Sequence, residues 1–296
     1  MQSQTPVTPA AAARAKVLEF PPPQPKRLLV PREHGSWGMW LLPGITGAAV
    51  GLALSGAHFG PALVWFFVAA ASAFLIYQPV EALSGRSVLK ARSPQEQHTV
   101  LFWIAAFAAL AAVGVFELVR LERSLVLIFA IVAFGSFALH ALLGLGRSVR
   151  SLRQIIAALS LTSTSAAAYY VVNGKLDRTA WILWAASWVF AAAQIEYVQL
   201  RIWTAAAKSR PDKLKTGWEV YLMHFAMLSA AVATAAAHLV PAFLAVAFVP
   251  CVLRLGFWAL SGPKKLDVFS LGFSELFQSV LFNSLLTAAF LLHNRF

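Results

Sequence analysis

Apolar residues run along this chain in blocks of about 20, and polar residues gather between them. Nine blocks stand out, near residues 36–56, 60–78, 98–118, 124–143, 155–173, 179–200, 218–238, 241–260 and 272–292. Each is about the length a helix needs to cross roughly 30 Å of hydrocarbon. The stretch "LFWIAAFAALAAVGVF" (101–116) shows no alternation of apolar and polar positions, which excludes barrel strands. The pattern predicts an all-α, polytopic integral membrane bundle of about nine transmembrane helices. Residues 1–30, rich in Ala, Pro and Gln and without a signal-like apolar core, predict a disordered cytoplasmic tail. Residues 31–296 then form the transmembrane domain.

Composition agrees with the pattern. Of the 296 residues, 59% are apolar and 12% charged, against about 25% charged in aqueous domains. The net charge of +12 invites a nucleic-acid partner, but its distribution excludes one. With the N-terminus in the cytoplasm, 19 of the 24 Lys and Arg lie on the inner side. That is the positive-inside bias of a membrane protein, and it attracts anionic lipid headgroups. It predicts the N-terminus in and the C-terminus out. The single cysteine, Cys251, rules out an intrachain disulfide or a thiolate cluster.

Polar side chains at the edges of the blocks carry the candidate chemistry, because a charge inside a span costs about 2.5–3.5 kcal/mol. Arg32, Glu33 and His34 stand at the mouth of the first span. Glu33 and His34 are the candidate catalytic groups, as proton carriers, with Arg32 as an anion holder. In the second span Pro79 predicts a break or kink that leaves Gln78 and Glu81 beside polar backbone. In the sixth, Gln194, Tyr197 and Arg201 fall within about 60° of one another on a helix, a donor stripe suited to phosphate or carboxylate. Glu196 and Gln199 share another face. Glu275 opens the ninth span, with Ser274 and Gln278 near it, and is the last candidate binding residue. Gly44, Gly47 and Gly51 form a smooth stripe for a close helix contact. Arg147, Arg150 and Arg153 share a face that suits headgroups. His34, His98, His140 and His224 map to inner span ends, but no HxxxH or HExxH spacing occurs, and no metal site is expected.

"PREHGSWGMWLLPG" (31–44) and "LGFSEL" (271–276) resemble the motifs of the YwiC-like bacterial membrane proteins. The resemblance implies a polytopic protein of the bacterial cytoplasmic membrane and carries no particular reaction. Polar connections after spans two and six resemble, more loosely, the UbiA prenyltransferase superfamily. That layout implies Mg²⁺-diphosphate held between two Asp-rich segments. Neither matching segment, around Gln78–Glu81 and Gln194–Arg201, contains Asp. No cofactor is therefore expected, since a Mg²⁺ site needs several hard oxygen ligands. The polar groups collect at one membrane depth, which favours a cytoplasm-facing cavity for an isoprenoid or quinone-like lipid. A small-anion transporter and a non-catalytic assembly partner are the alternatives. The sequence does not set the oligomeric state.

Overall fold

The computed structural model describes residues 34–84, 90–91, 93–142, 150–207, 209–262 and 266–293. Among these residues the structure is helical, without strands. Ten α-helices follow one another: α1 (His34–Ser55), α2 (Pro61–Leu83), α3 (Pro94–Arg120), α4 (Val126–Leu142), α5 (Arg150–Thr162), α6 (Thr164–Asn173), α7 (Arg178–Trp203), α8 (Arg210–Ala236), α9 (Leu244–Leu260) and α10 (Val268–His293). The nine apolar blocks coincide with these helices, and the fifth block is divided between α5 and α6. Six segments among the described residues are long and apolar enough to cross a membrane, the joined α5–α6 being one of them. The chain is a multi-pass helical membrane protein. The tail expected over residues 1–30 lies outside the described residues.

Local chemistry sets the ends of the helices. The Asp177 carboxylate accepts from the backbone N–H of Thr179 at 2.9 Å and Ala180 at 3.3 Å, capping α7. Ser209 caps α8 by accepting from Asp212 N–H at 3.3 Å. At α3, Ser93 Oγ accepts from Glu96 N–H while Glu96 accepts from Ser93 N–H, a reciprocal capping box. Helix α6 ends at Gly174, whose φ of 72° is the left-handed turn that glycine adopts without penalty. The division at Ser163 lies in the hydroxyl-rich run "SLTSTS" (160–165). Its Ser and Thr side chains donate to carbonyls three or four residues back, competing locally with the helix ladder. Pro79 does not end α2, which runs on to Leu83.

The helices divide between two compact units. Among the described residues the smaller lies within 74–108, and so holds the C-terminal part of α2 and the N-terminal part of α3. In it Ala82 and Val100 are buried against Ala91 and Ile104.

The larger unit holds residues 33–73 and 109–296. Its core joins Val50, Leu63, Phe66, Leu118, Leu183, Phe248, Phe282 and Leu286. Phe190 and Phe282 stack at 3.9 Å between ring centroids. Helix α1 packs on α6 and α10, α5 on α7, α8 on α9, and α9 on α10. The Gly44–Gly47–Gly51 stripe makes the α1–α6 contact, as its spacing predicts. A Cβ on Gly47 would stand 1.8 Å from Ser165 O, so only glycine admits this approach. Between α1 and α10, Thr46 Oγ1 donates to Asn283 Oδ1 at 2.9 Å, satisfying two polar groups among apolar neighbours.

Candidate functional site

Four helices of the larger unit, α7 to α10, bring together polar side chains that the sequence spreads over 80 residues. Arg254 is the centre. It lies six residues before the end of α9, roughly 9 Å inside at 1.5 Å per residue. Its Nη1 donates to Glu275 Oε1 at 2.7 Å and to Ser274 Oγ at 3.4 Å on α10. Its Nη2 donates to Gln194 Oε1 on α7. Its guanidinium lies 3.9 Å from the centroid of the Tyr197 ring. Both members of the Arg254–Glu275 pair are almost wholly shielded, at 11% and 13% side-chain exposure.

Arg201 sits on the same α7 face. Its Nη1 donates to the Tyr197 hydroxyl at 3.2 Å, and its guanidinium lies 4.1 Å from the Trp258 ring of α9. Lys213, from the first turns of α8, approaches that Trp258 ring at 3.6 Å. Lys213 is fully buried. Its Nζ donates to Trp258 O at 2.7 Å and Ser261 O at 2.9 Å, the carbonyls that end α9. A cation at a helix C-terminus both satisfies these acceptors and opposes the helix dipole.

Buried polar atoms without a hydrogen-bond partner concentrate around this network. They include Gln194 Nε2, Arg201 Nε, Arg254 Nε, Trp258 Nε1, Tyr221 Oη, His224 Nε2 and Gln278 Oε1. Each such atom costs about 1–3 kcal/mol when nothing meets it. His224 is buried, and its Nδ1 lies 2.9 Å from Val220 O. A carbonyl accepts only, so Nδ1 carries the proton and Nε2 presents a lone pair in the neutral ring.

The sequence-predicted residues divide as follows. Gln194, Tyr197, Arg201 and Glu275 come together in this cluster. Gln199 points elsewhere, donating to Gln154 on α5 at 3.0 Å, as its different helix face requires. Gln78 and Glu81 belong to the smaller unit, where Tyr77 Oη donates to Glu81 at 2.7 Å. Arg32, Glu33 and Arg147 lie outside the described residues. His34 begins α1, while Arg150 begins α5 and Arg153 follows in it. Of the four histidines singled out, His224 is seated beside the cluster and His98 is in the smaller unit, while the side chains of His34 and His140 lie outside the described ones. Among the described residues no three His, Cys, Asp or Glu side chains gather as a metal would need.

Sequence reading missed three members of the site. Arg254 is visible as an isolated charge within an apolar block, and the cost of burying it was the signal. Lys213 reads as a connection residue, and Trp258 as an interfacial anchor. Only the packing of α8 on α9 shows that they meet.

Residues 30–170 match the family model described as YwiC-like protein. Across that stretch the chain is YwiC-like. No curated protein and no solved structure matches the chain. The YwiC-like stretch runs from the entrance of α1 to Tyr170 in α6 and contains the glycine-lined contact. The α7–α10 cluster follows it in the chain, so its chemistry rests on its own geometry.

Proposed function

We propose that this YwiC-like membrane protein holds the polar head of an isoprenoid or quinone-like lipid at the α7–α10 cluster. The observation that carries the reading is the concentration of buried, unpartnered polar atoms around Arg254. A lipid head bearing several oxygens would satisfy them and offset their cost. Arg254 lies about two helical turns before the end of α9, a depth that suits a lipid head lodged below one leaflet surface. With the N-terminus inside, as the Lys and Arg distribution supports, that leaflet is the cytoplasmic one of the bacterial inner membrane. Glu275 holds Arg254 in place, Gln194 fixes its second edge, and Tyr197 supports both arginines from below.

The test is mass spectrometry of the lipids retained by the full-length protein in nanodiscs. The wild-type protein is expected to carry an isoprenoid or quinone-like lipid. The double variant Arg254→Met/Glu275→Met removes the pair together, so no lone charge stays buried. It is expected to lose most of that occupancy. Equal occupancy in both proteins overturns the reading. Anion flux into sealed vesicles, with no lipid retained, would favour a small-anion transporter in its place.

A further inference from the structure

We infer that the head held at this cluster is a phosphoryl anion rather than a neutral quinone or alcohol; this deepens the lipid-binding reading and rests on it. Two observations lead there. The first is the chemistry of the unpartnered atoms that the contacts link into one chain. Gln194 touches Arg254, Arg254 and Arg201 both lie over Tyr197, and Arg201 lies over Trp258. The free atoms along this chain are Gln194 Nε2, Arg254 Nε, Arg201 Nε and Trp258 Nε1. All four are donors. The orientation of Gln194 is fixed by chemistry, since turning its amide would set N–H against the guanidinium of Arg254. Its nitrogen therefore stays on the free side. A phosphoryl group, with acceptor oxygens in several directions, meets such a set; a hydroxyl brings a donor of its own.

The second observation is charge. Glu275 compensates Arg254. Arg201 has no carboxylate partner among the described residues and is held by the Tyr197 hydroxyl and two aromatic rings. Glu275 also acts electrostatically on Arg201, so one carboxylate serves both guanidiniums, and a neutral head would leave one positive charge in excess beside the apolar residues Leu200, Val220, Leu255 and Leu271. An anionic head would neutralise it, and a guanidinium presents the planar fork that phosphate oxygens accept. Of the unpartnered atoms on the flanking residues, Tyr221 Oη can donate or accept, and His224 Nε2 and Gln278 Oε1 are acceptors. An alcohol is therefore the discriminating control.

The experiment titrates full-length protein in zwitterionic nanodiscs with four probes, read by native mass spectrometry. They are a polyprenyl phosphate, the polyprenol of the same length, a quinone with a comparable tail, and inorganic phosphate. The polyprenyl phosphate is expected to bind at least about tenfold more tightly than the polyprenol or the quinone. Arg201→Gln is expected to weaken the phosphate lipid by roughly ten- to a hundredfold, the worth of a charge-assisted hydrogen bond. It should weaken the polyprenol much less, and Arg201→Lys should recover part of the preference. Trp258→Phe keeps the ring that stacks on Arg201 and removes one donor; a smaller, phosphate-selective loss is expected.

Competition by inorganic phosphate would show that the phosphoryl group is recognised without a tail. Its failure to compete, with the lipid preference intact, would show that the tail is required. Both results support the assignment, the second naming a membrane lipid as the source. Equal affinity for the phosphate, alcohol and quinone lipids would overturn the phosphoryl head and leave the lipid-binding reading standing. So would an Arg201→Gln loss that is equal for all three. No binding of any lipid would remove both.

Discussion

Helix α7 joins two regions of the larger unit that can be compared directly. Around its start, Arg123 Nε donates to Val171 O at 2.8 Å, Tyr169 Oη to Asp177 at 2.9 Å, and Asn173 Nδ2 to Tyr169 O at 3.1 Å. Arg178 closes the same region by donating to Leu239 O. The Asn173 bond secures the last turn of α6, and the others tie one chain segment to another. Towards its other end, Gln194 and Arg201 also make bonds, yet each keeps a buried nitrogen that nothing meets. Two arginines, two aromatic rings and a glutamine amide are thus positioned by bonds to one another, with donor atoms left over. Polar groups that serve only the fold tend to be satisfied within it. Several of those near α8, α9 and α10 are not, and this difference is what makes the second region the candidate site.

The largest expected effect breaks the site from within. Arg254→Met alone leaves the Glu275 carboxylate buried without its partner, which costs about 3–5 kcal/mol of stability. Thermal unfolding of the single variant in nanodiscs should fall sharply, while Arg254→Met/Glu275→Met should return close to the wild-type curve. If the double variant is as unstable as the single one, the pair is a structural staple and the contrast between the two regions of α7 fails.

Next comes Lys213→Met, which removes the donor from the two carbonyls that end α9. Leaving buried acceptors unmet costs about 1–3 kcal/mol. The change should loosen α8 from α9, seen as faster hydrogen exchange at the Leu255–Leu260 amides. Unchanged exchange there would show that Lys213 does not anchor the helix end. At the far end, Arg123→Met removes one bond to Val171 O and should cost about 0.5–1.5 kcal/mol. Retained lipid should be unaffected, because no atom of the cluster depends on it. A loss of lipid in Arg123→Met would join the two regions and dissolve the comparison.

How much of this was legible beforehand depends on what each feature required. The helices were, since hydropathy fixes which stretches must satisfy their backbone internally. The α1–α6 contact was also legible, because glycines at 44, 47 and 51 leave a groove whatever partner fills it. The division at Ser163 was not read, although "SLTSTS" carried it; an apolar block of the right length concealed a local competition for carbonyls. Within the site, the Gln194–Tyr197–Arg201 stripe followed from helix period alone, and Glu275 followed from its place in the last span. Their meeting with Arg254, Lys213 and Trp258 did not. Those contacts join residues 21 to 60 positions apart on different helices, and no periodicity within one helix encodes which neighbour it will face. A wholly apolar site would have been harder to see still. Buried charge was the usable signal, because its cost demands a partner and so limits where it can point.

The smallest expected effect on stability is the most pointed, and it concerns Trp258. A buried indole N–H normally finds an acceptor, and removing such a bond costs about 0.5–1.5 kcal/mol. Trp258 is 6% exposed and its Nε1 has no acceptor. Trp258→Phe therefore deletes a group that is unfavourable in the empty protein, and the ring that receives Arg201 and Lys213 is retained. The loss of ring area works against this gain, so the two nearly cancel. Unfolding of the ligand-free variant should shift by less than about 1 kcal/mol in either direction. Stabilisation of the protein by added polyprenyl phosphate should meanwhile shrink, since ligand stabilisation rises with the logarithm of affinity at a fixed ligand concentration. A ligand-free destabilisation well above that range would mean that Nε1 already has a partner in the folded protein. The donor set would then lose a member, and the contrast between the satisfied start of α7 and the unsatisfied cluster beyond it would lose the residue that tests it most directly.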